Sequence, residues 1–252
     1  MILKYFRINN YVDYYNGVLL PSTDKLHLFD LIPYYDGILL RIPNKNNPTQ
    51  LEEFEEMPKL FDIFKEHVRW NKIINVSTIG EFNVACRNRK AFDLIKIAEA
   101  LHEKKIAHIA DTIEKNNSIK VILVSGPSSS GKTTFSKRLS VQLMASGLKP
   151  VMLSMDNYFV NRENTPVDEN GEHDYEHLHA LDLDFFNQQI RQLVNYEEID
   201  LPVFNFETGK REYRGKKLKL TKESILIIEG IHALNPSLLP KIPRENTYKI
   251  YV

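Results

Sequence analysis

The stretch Val121–Thr134, VILVSGPSSSGKTT, constrains this chain more than any other part of it. It runs from an apolar strand through a glycine-serine turn into the first residues of a helix. Gly126, Gly131, Lys132 and Thr133 satisfy the pattern G-x-x-x-x-G-K-[ST] in full. Two glycines let the backbone wrap an anion so that its N–H groups point inward. The helix that follows brings its positive dipole end to the same point. The spacing therefore predicts that Gly126, Pro127, Ser128, Ser129, Ser130, Gly131, Lys132, Thr133 and Thr134 cradle the phosphates of a nucleotide, ATP being the expected one. Lys132 reaches the β- and γ-phosphates, and the Thr133 hydroxyl holds a magnesium ion. The plainer reading is a serine-rich turn ahead of an ordinary helix. It becomes a rarer coincidence once a strand before the loop and a helix after it are both required.

The chain has 252 residues, room for one large domain or two smaller ones. Hydrophobic residues make up 42% and charged ones 26%, the balance of a soluble globular protein with ample chain for a core. Lys plus Arg and Asp plus Glu are 33 each, so bulk charge draws the chain to neither nucleic acid nor a membrane. Homo-oligomerisation is left open. Cys86 is the only cysteine, which excludes an intrachain disulfide framework and fits a reducing, cytoplasmic setting. No basic segment followed by an apolar core marks a signal peptide at the N-terminus. The longest apolar runs, near Val121 and Ile225, are of strand length and too short to span a bilayer.

Before the phosphate loop, Tyr14-Tyr15-Asn16-Gly17-Val18-Leu19-Leu20 is echoed by Tyr34-Tyr35-Asp36-Gly37-Ile38-Leu39-Leu40. Asn-Gly and Asp-Gly are hairpin pairs, so a small antiparallel sheet is expected. Pro43–Pro48 reads as a loop. Leu51, Phe54, Leu60, Phe61, Phe64 and Val68 follow helical spacing, with Pro58 expected to divide the run into two helices. One more short strand is expected within Ile74–Cys86. Phe92, Ile95, Leu101, Ile106, Ile109 and Ile113 mark a long helix that ends at the polar Glu114–Ser118, where the domain boundary is placed. From Lys120 strands and helices alternate. A helix runs from Thr133 to about Ser146, a strand from Val151 to Ser154, and a helix from Leu181 to Tyr196. A hairpin follows over Val203–Lys219, turning near Thr208-Gly209. Ser224–Glu229 is a third buried strand, and Tyr248–Val252 begins a fourth. The expected fold is α/β: residues 118–252 form a parallel sheet with flanking helices, preceded by a smaller α+β domain over residues 1–117. Ligands of such sheets bind at the carboxyl ends of the strands, where Ser125, Asp156 and Glu229 should converge.

A carboxylate at Asp156, two residues past a buried strand, can lie beside the terminal phosphate. There it can take a proton from an attacking hydroxyl or hold magnesium, and the plainer reading is a carboxylate capping a loop. Glu229 ends its strand at the position of a metal-holding acid, against a plainer reading as a solvent-facing strand end. A GTPase is excluded: Asp168-Glu169-Asn170-Gly171 lies in a polar loop, and no Asn-Lys-x-Asp exists. A motor-type ATPase is disfavoured because Gly230, not a second acid, follows Glu229.

GPSSSGKTTF, LSMDNYF, DYEHLHALD, LPVFNF and LIIEGIHAL, in this order and spacing over Ile119–Leu239, resemble the uridine kinase and phosphoribulokinase family. The resemblance implies that Asp156 activates the substrate hydroxyl and that Glu176 holds ribose hydroxyls. It implies that Glu229 helps hold magnesium and that Phe204 stacks near a nucleobase. Uridine kinases usually carry tyrosine where Phe204 stands, and a histidine where this chain runs Glu207-Thr208-Gly209-Lys210. The stretch VDYYNGVLLPSTDKLHLFDLIPYYDGILLRIP is similar to the part that precedes the kinase in bacterial proteins joining a threonyl-tRNA synthetase-like domain to a uridine kinase-like one. No histidine motif for editing is visible, so no editing activity is carried over, and Tyr14, Tyr15, Tyr34 and Tyr35 are read as packing residues.

The expected activity is ATP-dependent phosphorylation of a small-molecule hydroxyl, foremost the 5′-hydroxyl of a nucleoside. The rival reading is a nucleotide-dependent module that binds RNA or an aminoacyl group without turnover, for which Asp156 has no use. His173, His177 and His179 cluster without a fourth ligand spaced nearby, so an exposed loop is preferred to a zinc site. Lys210, Arg211, Arg214, Lys216, Lys217 and Lys219 are read as a solvated hairpin edge rather than a patch for phosphorylated ligands. Related kinases continue into a lid bearing arginines. After Leu239 this sequence offers only Arg244, so the chain is expected to be a piece of a longer protein that transfers phosphate poorly by itself.

Overall fold

The computed structural model describes residues 5–15, 17–240 and 242–252. Two compact units are present, Met1–Phe82 and Asn83–Val252.

The first unit begins with two separate antiparallel ribbons, β1 (Tyr5–Ile8) with β2 (Tyr11–Tyr14), and β3 (Asp30–Tyr34) with β4 (Gly37–Arg41). Neither joins the other, in contrast to the single small sheet expected from the sequence. The first expected turn includes Asn16, which lies outside the described residues; the observed ribbon instead turns at Asn9-Asn10. The second turn falls one residue earlier than Asp-Gly predicts, at Tyr35-Asp36, because Gly37 already pairs with Tyr34. Tyr35 takes the left-handed conformation at φ 53°. Its ring stacks on Phe61 at 4.3 Å and 14°, and this packing offsets the cost of positive φ.

Pro58 does not divide two helices. It opens one, α1 (Pro58–Ile73), where its missing N–H costs nothing. The preceding Leu51–Met57 segment is not helical. The strand expected within Ile74–Cys86 is instead α2 (Ile79–Arg87). A capping box forces this outcome. The Glu81 carboxylate accepts from the N–H groups of Ser77 and Thr78 at 2.6 and 2.9 Å, and Thr78 Oγ1 accepts from Glu81 N at 3.2 Å. Those bonds hold the Glu81 carboxyl below its ordinary pKa.

The second unit opens with α3 (Ala91–Glu114), followed by β5 (Val121–Ser125), α4 (Lys132–Ala145) and β6 (Lys149–Ser154). Then come α5 (Leu183–Val194), the antiparallel pair β7 (Ile199–Asn205) and β8 (Lys210–Leu218), β9 (Ser224–Glu229) and β10 (Thr247–Tyr251). Four strands make one parallel sheet in the order β10-β5-β9-β6. Side chains alternate across it. Val121, Leu123, Leu226 and Ile228 join Tyr158, Phe186, Ile190 and Leu193 on one face. Ile122, Val124, Ile225 and Ile227 meet Phe135, Leu139 and Leu143 of α4 on the other. Ile106, Ala110 and Ile113 of α3 are buried in that same cluster, so the change of pattern at Glu114–Ser118 falls inside the second compact unit. Arg138 and Gln142 of α4 tie it further to α3, through Glu99 at 2.6 Å and through Glu103.

Candidate active site

Ser125, Asp156 and Glu229, expected at the carboxyl ends of the parallel strands, lie at or just past the ends of three neighbouring strands, because β5 and β6 flank β9. Val124 and Ser154 both lie opposite Glu229 in the register. The loop from Gly126 to Gly131 leaves β5 and enters α4 directly. Gly126 is buried there, and a Cβ on it would run into the Val252 carbonyl and come within 2.7 Å of Ser130 Oγ. Only glycine lets β10 and the loop close this tightly. Ser130 Oγ is itself buried without a partner, an orphaned hydroxyl inside the cradle. Lys132 Nζ donates back across the loop to the Pro127 carbonyl at 2.8 Å.

Thr133 Oγ1 lies 3.1 Å from each carboxylate oxygen of Glu229, which is buried at 7% exposure. A hydroxyl and a buried carboxylate facing one another are hard oxygen donors, the chemistry magnesium takes. Asp156 follows β6 in a short 3₁₀ turn, Met155–Tyr158, whose Met155 and Tyr158 are buried. Asp156 itself stands at the open mouth, with surface exposed to water, yet protein crowds its carboxyl. Burial raises its pKa first, the Glu229 charge raises it further, and Lys132 opposes both. The three side chains are thus coupled electrostatically at one place.

Of the two residues expected on the acceptor side, Glu176 sits on the loop between Asn161 and Leu181, and Phe204 sits on β7. Glu176 accepts from Ser128 Oγ at 3.3 Å, and its main-chain carbonyl accepts from His232 Nε2 at 2.7 Å. This loop is therefore pinned to the phosphate loop on one side and to the segment after β9 on the other. Met155, Asp156, Phe159, Tyr175, Leu181, Ile231 and His232 line the cleft beneath it, which has room for about one water. Phe204 is buried at 5% exposure and packs on Phe159 at 5.4 Å and Phe206 at 5.1 Å, so its ring backs the wall rather than standing free. Phe159, Tyr175 and His232 were not singled out from the sequence. Their only signal was position, just after a strand end or inside a motif already noted for another residue.

Two sequence clusters resolve differently. The histidines make only local contacts, His179 N donating to His177 Nδ1 at 3.1 Å and His173 lying 3.4 Å from the Thr165 carbonyl. The basic hairpin is not uniformly solvated. Arg211 binds Asp182 at 3.0 Å and lies over the Phe185 ring at 4.5 Å, clamping β8 to the core, while Lys217 and Arg214 pair with Glu198 and Glu212.

The phosphoribulokinase / uridine kinase family matches this chain over residues 121–244. A uridine kinase of Lactiplantibacillus plantarum is 33% identical over 128 residues, covering 51% of this chain and 59% of its own length. One from Anoxybacillus flavithermus is 31% identical over 132 residues, covering 52% and 59%. Among solved structures, a possible uridine kinase from Bacillus stearothermophilus aligns at a TM-score of 0.49 and 24% identity, over 59% of this chain and 79% of that one. The chain spans little more than half the length of the curated relatives it matches, 57% for the uridine kinase of Ligilactobacillus salivarius. No helix among the described residues is long and apolar enough to cross a membrane.

Proposed function

We propose that residues 118–252 carry an ATP-dependent kinase that transfers the γ-phosphoryl group to a hydroxyl of a small molecule, foremost the 5′-hydroxyl of a nucleoside. One observation carries this reading: a threonine at the start of α4, the buried Glu229 and the crowded Asp156 meet at the ends of adjacent parallel strands. The orphaned Ser130 hydroxyl and the inward-facing loop bind phosphate. Lys132 exchanges its bond to the Pro127 carbonyl for the phosphates and neutralises charge that develops on them. Thr133 and Glu229 would hold magnesium, which when bound would offset phosphate charge. Asp156 accepts the proton of the attacking hydroxyl; its raised pKa makes it a better base than an ordinary carboxylate. Glu176 orients the acceptor from the facing loop, and the ring of Phe204 supports the aromatic surface on which a base rests.

The curated relatives named uridine kinase support this acceptor class. A nucleotide switch without turnover would give Asp156 no task. The test is product formation from ATP across a nucleoside panel, with hydrolysis in the absence of acceptor as the control. Phosphorylated nucleoside above that control is expected. Hydrolysis alone, unchanged by any nucleoside, would refute the reading.

A further inference from the structure

Four aromatic rings form one wall beside Asp156. Phe159 meets Tyr175 at 6.1 Å, Phe206 at 6.0 Å and Phe204 at 5.4 Å, and two of these, Phe159 and Tyr175, also line the cleft that Asp156 opens. Arg162 runs along the outer edge of this wall. Its Nε donates to the Tyr175 hydroxyl at 3.1 Å, and its Nη2 donates to the Phe206 carbonyl at 2.6 Å. The main chain fixes it as well: Arg162 N donates to the Gly209 carbonyl at 2.9 Å. Next to it, Asn161 Oδ1 accepts from Arg211 N at 3.4 Å, and Arg211 is the clamp that holds β8 to the core.

Gly209 is what admits the guanidinium. It turns the β7–β8 hairpin at φ +67°, and a Cβ there would lie 2.7 Å from Arg162 Cβ and 2.8 Å from Nε. Any side chain at 209 would both strain the turn and push Arg162 off the wall. The pairing of a bare turn with an arginine fitted against it is a built arrangement, even though Arg162 is exposed to solvent. A guanidinium has donors to spare beyond those two bonds and no acceptor at all. Of the rings beside it, Phe206 is exposed and offers a flat apolar face that suits a planar ring, while Phe159 and Phe204 are buried behind it.

We propose that Arg162 determines acceptor specificity: it donates to a carbonyl oxygen on the edge of a planar nucleobase lying on the exposed Phe206 ring, and disfavours a base with an amine in that place. Gly209 is the permissive partner. The assignment rests on the nucleoside kinase reading above.

Calorimetric titration of the full chain, loaded with a non-hydrolysable ATP analogue, decides it. Uridine and cytidine serve as probes because one carries a carbonyl where the other carries an amine. The parent should bind uridine about tenfold tighter than cytidine, the scale of a hydrogen bond from a charged donor. Arg162→Met should bring the ratio near one by weakening uridine, with analogue affinity and melting temperature unchanged. Gly209→Ala should do the same while Arg162 is still present; if that variant does not fold, Arg162→Met alone decides. A ratio that survives Arg162→Met overturns the assignment, as does a parent that binds both nucleosides without preference. A parent that binds the analogue but neither nucleoside overturns the nucleoside reading itself, and this assignment with it.

Discussion

Asp156 carries two opposing demands. Burial, and then the charge of Glu229, raise its pKa, so the native fold disfavours the ionised form that a base requires. Asp156→Asn keeps the shape and removes the base. Turnover should fall by about 10²–10⁴-fold with ATP affinity nearly unchanged; an equal loss of ATP affinity would make Asp156 a nucleotide or metal ligand instead. The same variant should melt at a higher temperature at neutral pH. A carboxyl whose folded pKa lies above its unfolded value destabilises the fold once pH rises past both, and no penalty remains when pH drops below the unfolded value. The stability gain should therefore vanish on acidification, and a gain constant with pH would point away from ionisation. Lys132 poses a simpler question, because its ammonium group donates to the exposed Pro127 carbonyl of the loop and to no core residue. Lys132→Ala should leave the melting curve near that of the parent and abolish tight triphosphate binding, measured by calorimetry. Parent-like ATP binding would refute the phosphate-loop assignment.

Elements were legible where burial dictates composition. β5 and β9 are covered on both faces and read as unbroken apolar runs, and α4 follows the loop motif directly. The expected site residues follow the same elements: Glu229 ends β9, Asp156 lies two residues past β6, and Lys132 and Thr133 open α4 after the loop that leaves β5. Arg162 was not legible, because nothing in a polar loop announces a side chain that is held by a glycine far along the chain. α2 was missed because its β-branched and aromatic residues suggested a strand. Thr78 and Glu81 carry the helix signal, a capping box whose two bonds start α2. The Tyr35-Asp36 turn falls one residue earlier than Asp-Gly predicts because the packing of Tyr35 on Phe61, a tertiary contact, settles which residue takes positive φ. α3 lies outside the segment that matches the kinase family, yet its Ile106 is fully buried behind β5 and β9. Ile106→Ala should cost about 2–5 kcal/mol of unfolding free energy, read by urea denaturation of the second unit's tertiary signal. A loss under about 1 kcal/mol, the range of a surface change, would mean that α3 is only loosely docked.

At the scale of the whole chain the two units differ in kind. Every described residue that is buried belongs to Asn83–Val252, where two apolar clusters sandwich the parallel sheet. Among the described residues of Met1–Phe82 none is buried, although Tyr34, Tyr35, Phe54 and Phe61 gather in edge-on and stacked pairs. Apolar burial supplies most of the free energy that opposes chain entropy, so local stability must follow this division. Backbone amides that open only with the global transition should be confined to the second unit, in β5 and β9 above all. The hydrogen bonds of α1 and of the two ribbons should break in local openings that cost far less. Hydrogen exchange followed by mass spectrometry on the intact chain measures both at once. Peptides from α1 should exchange orders of magnitude faster than peptides from β5, and adding denaturant should speed the β5 peptides while leaving the α1 peptides nearly unaffected. Equal protection in α1 and β5, with the same denaturant dependence, would show one cooperative fold and would mean that the first unit draws its stability from something other than its own buried surface.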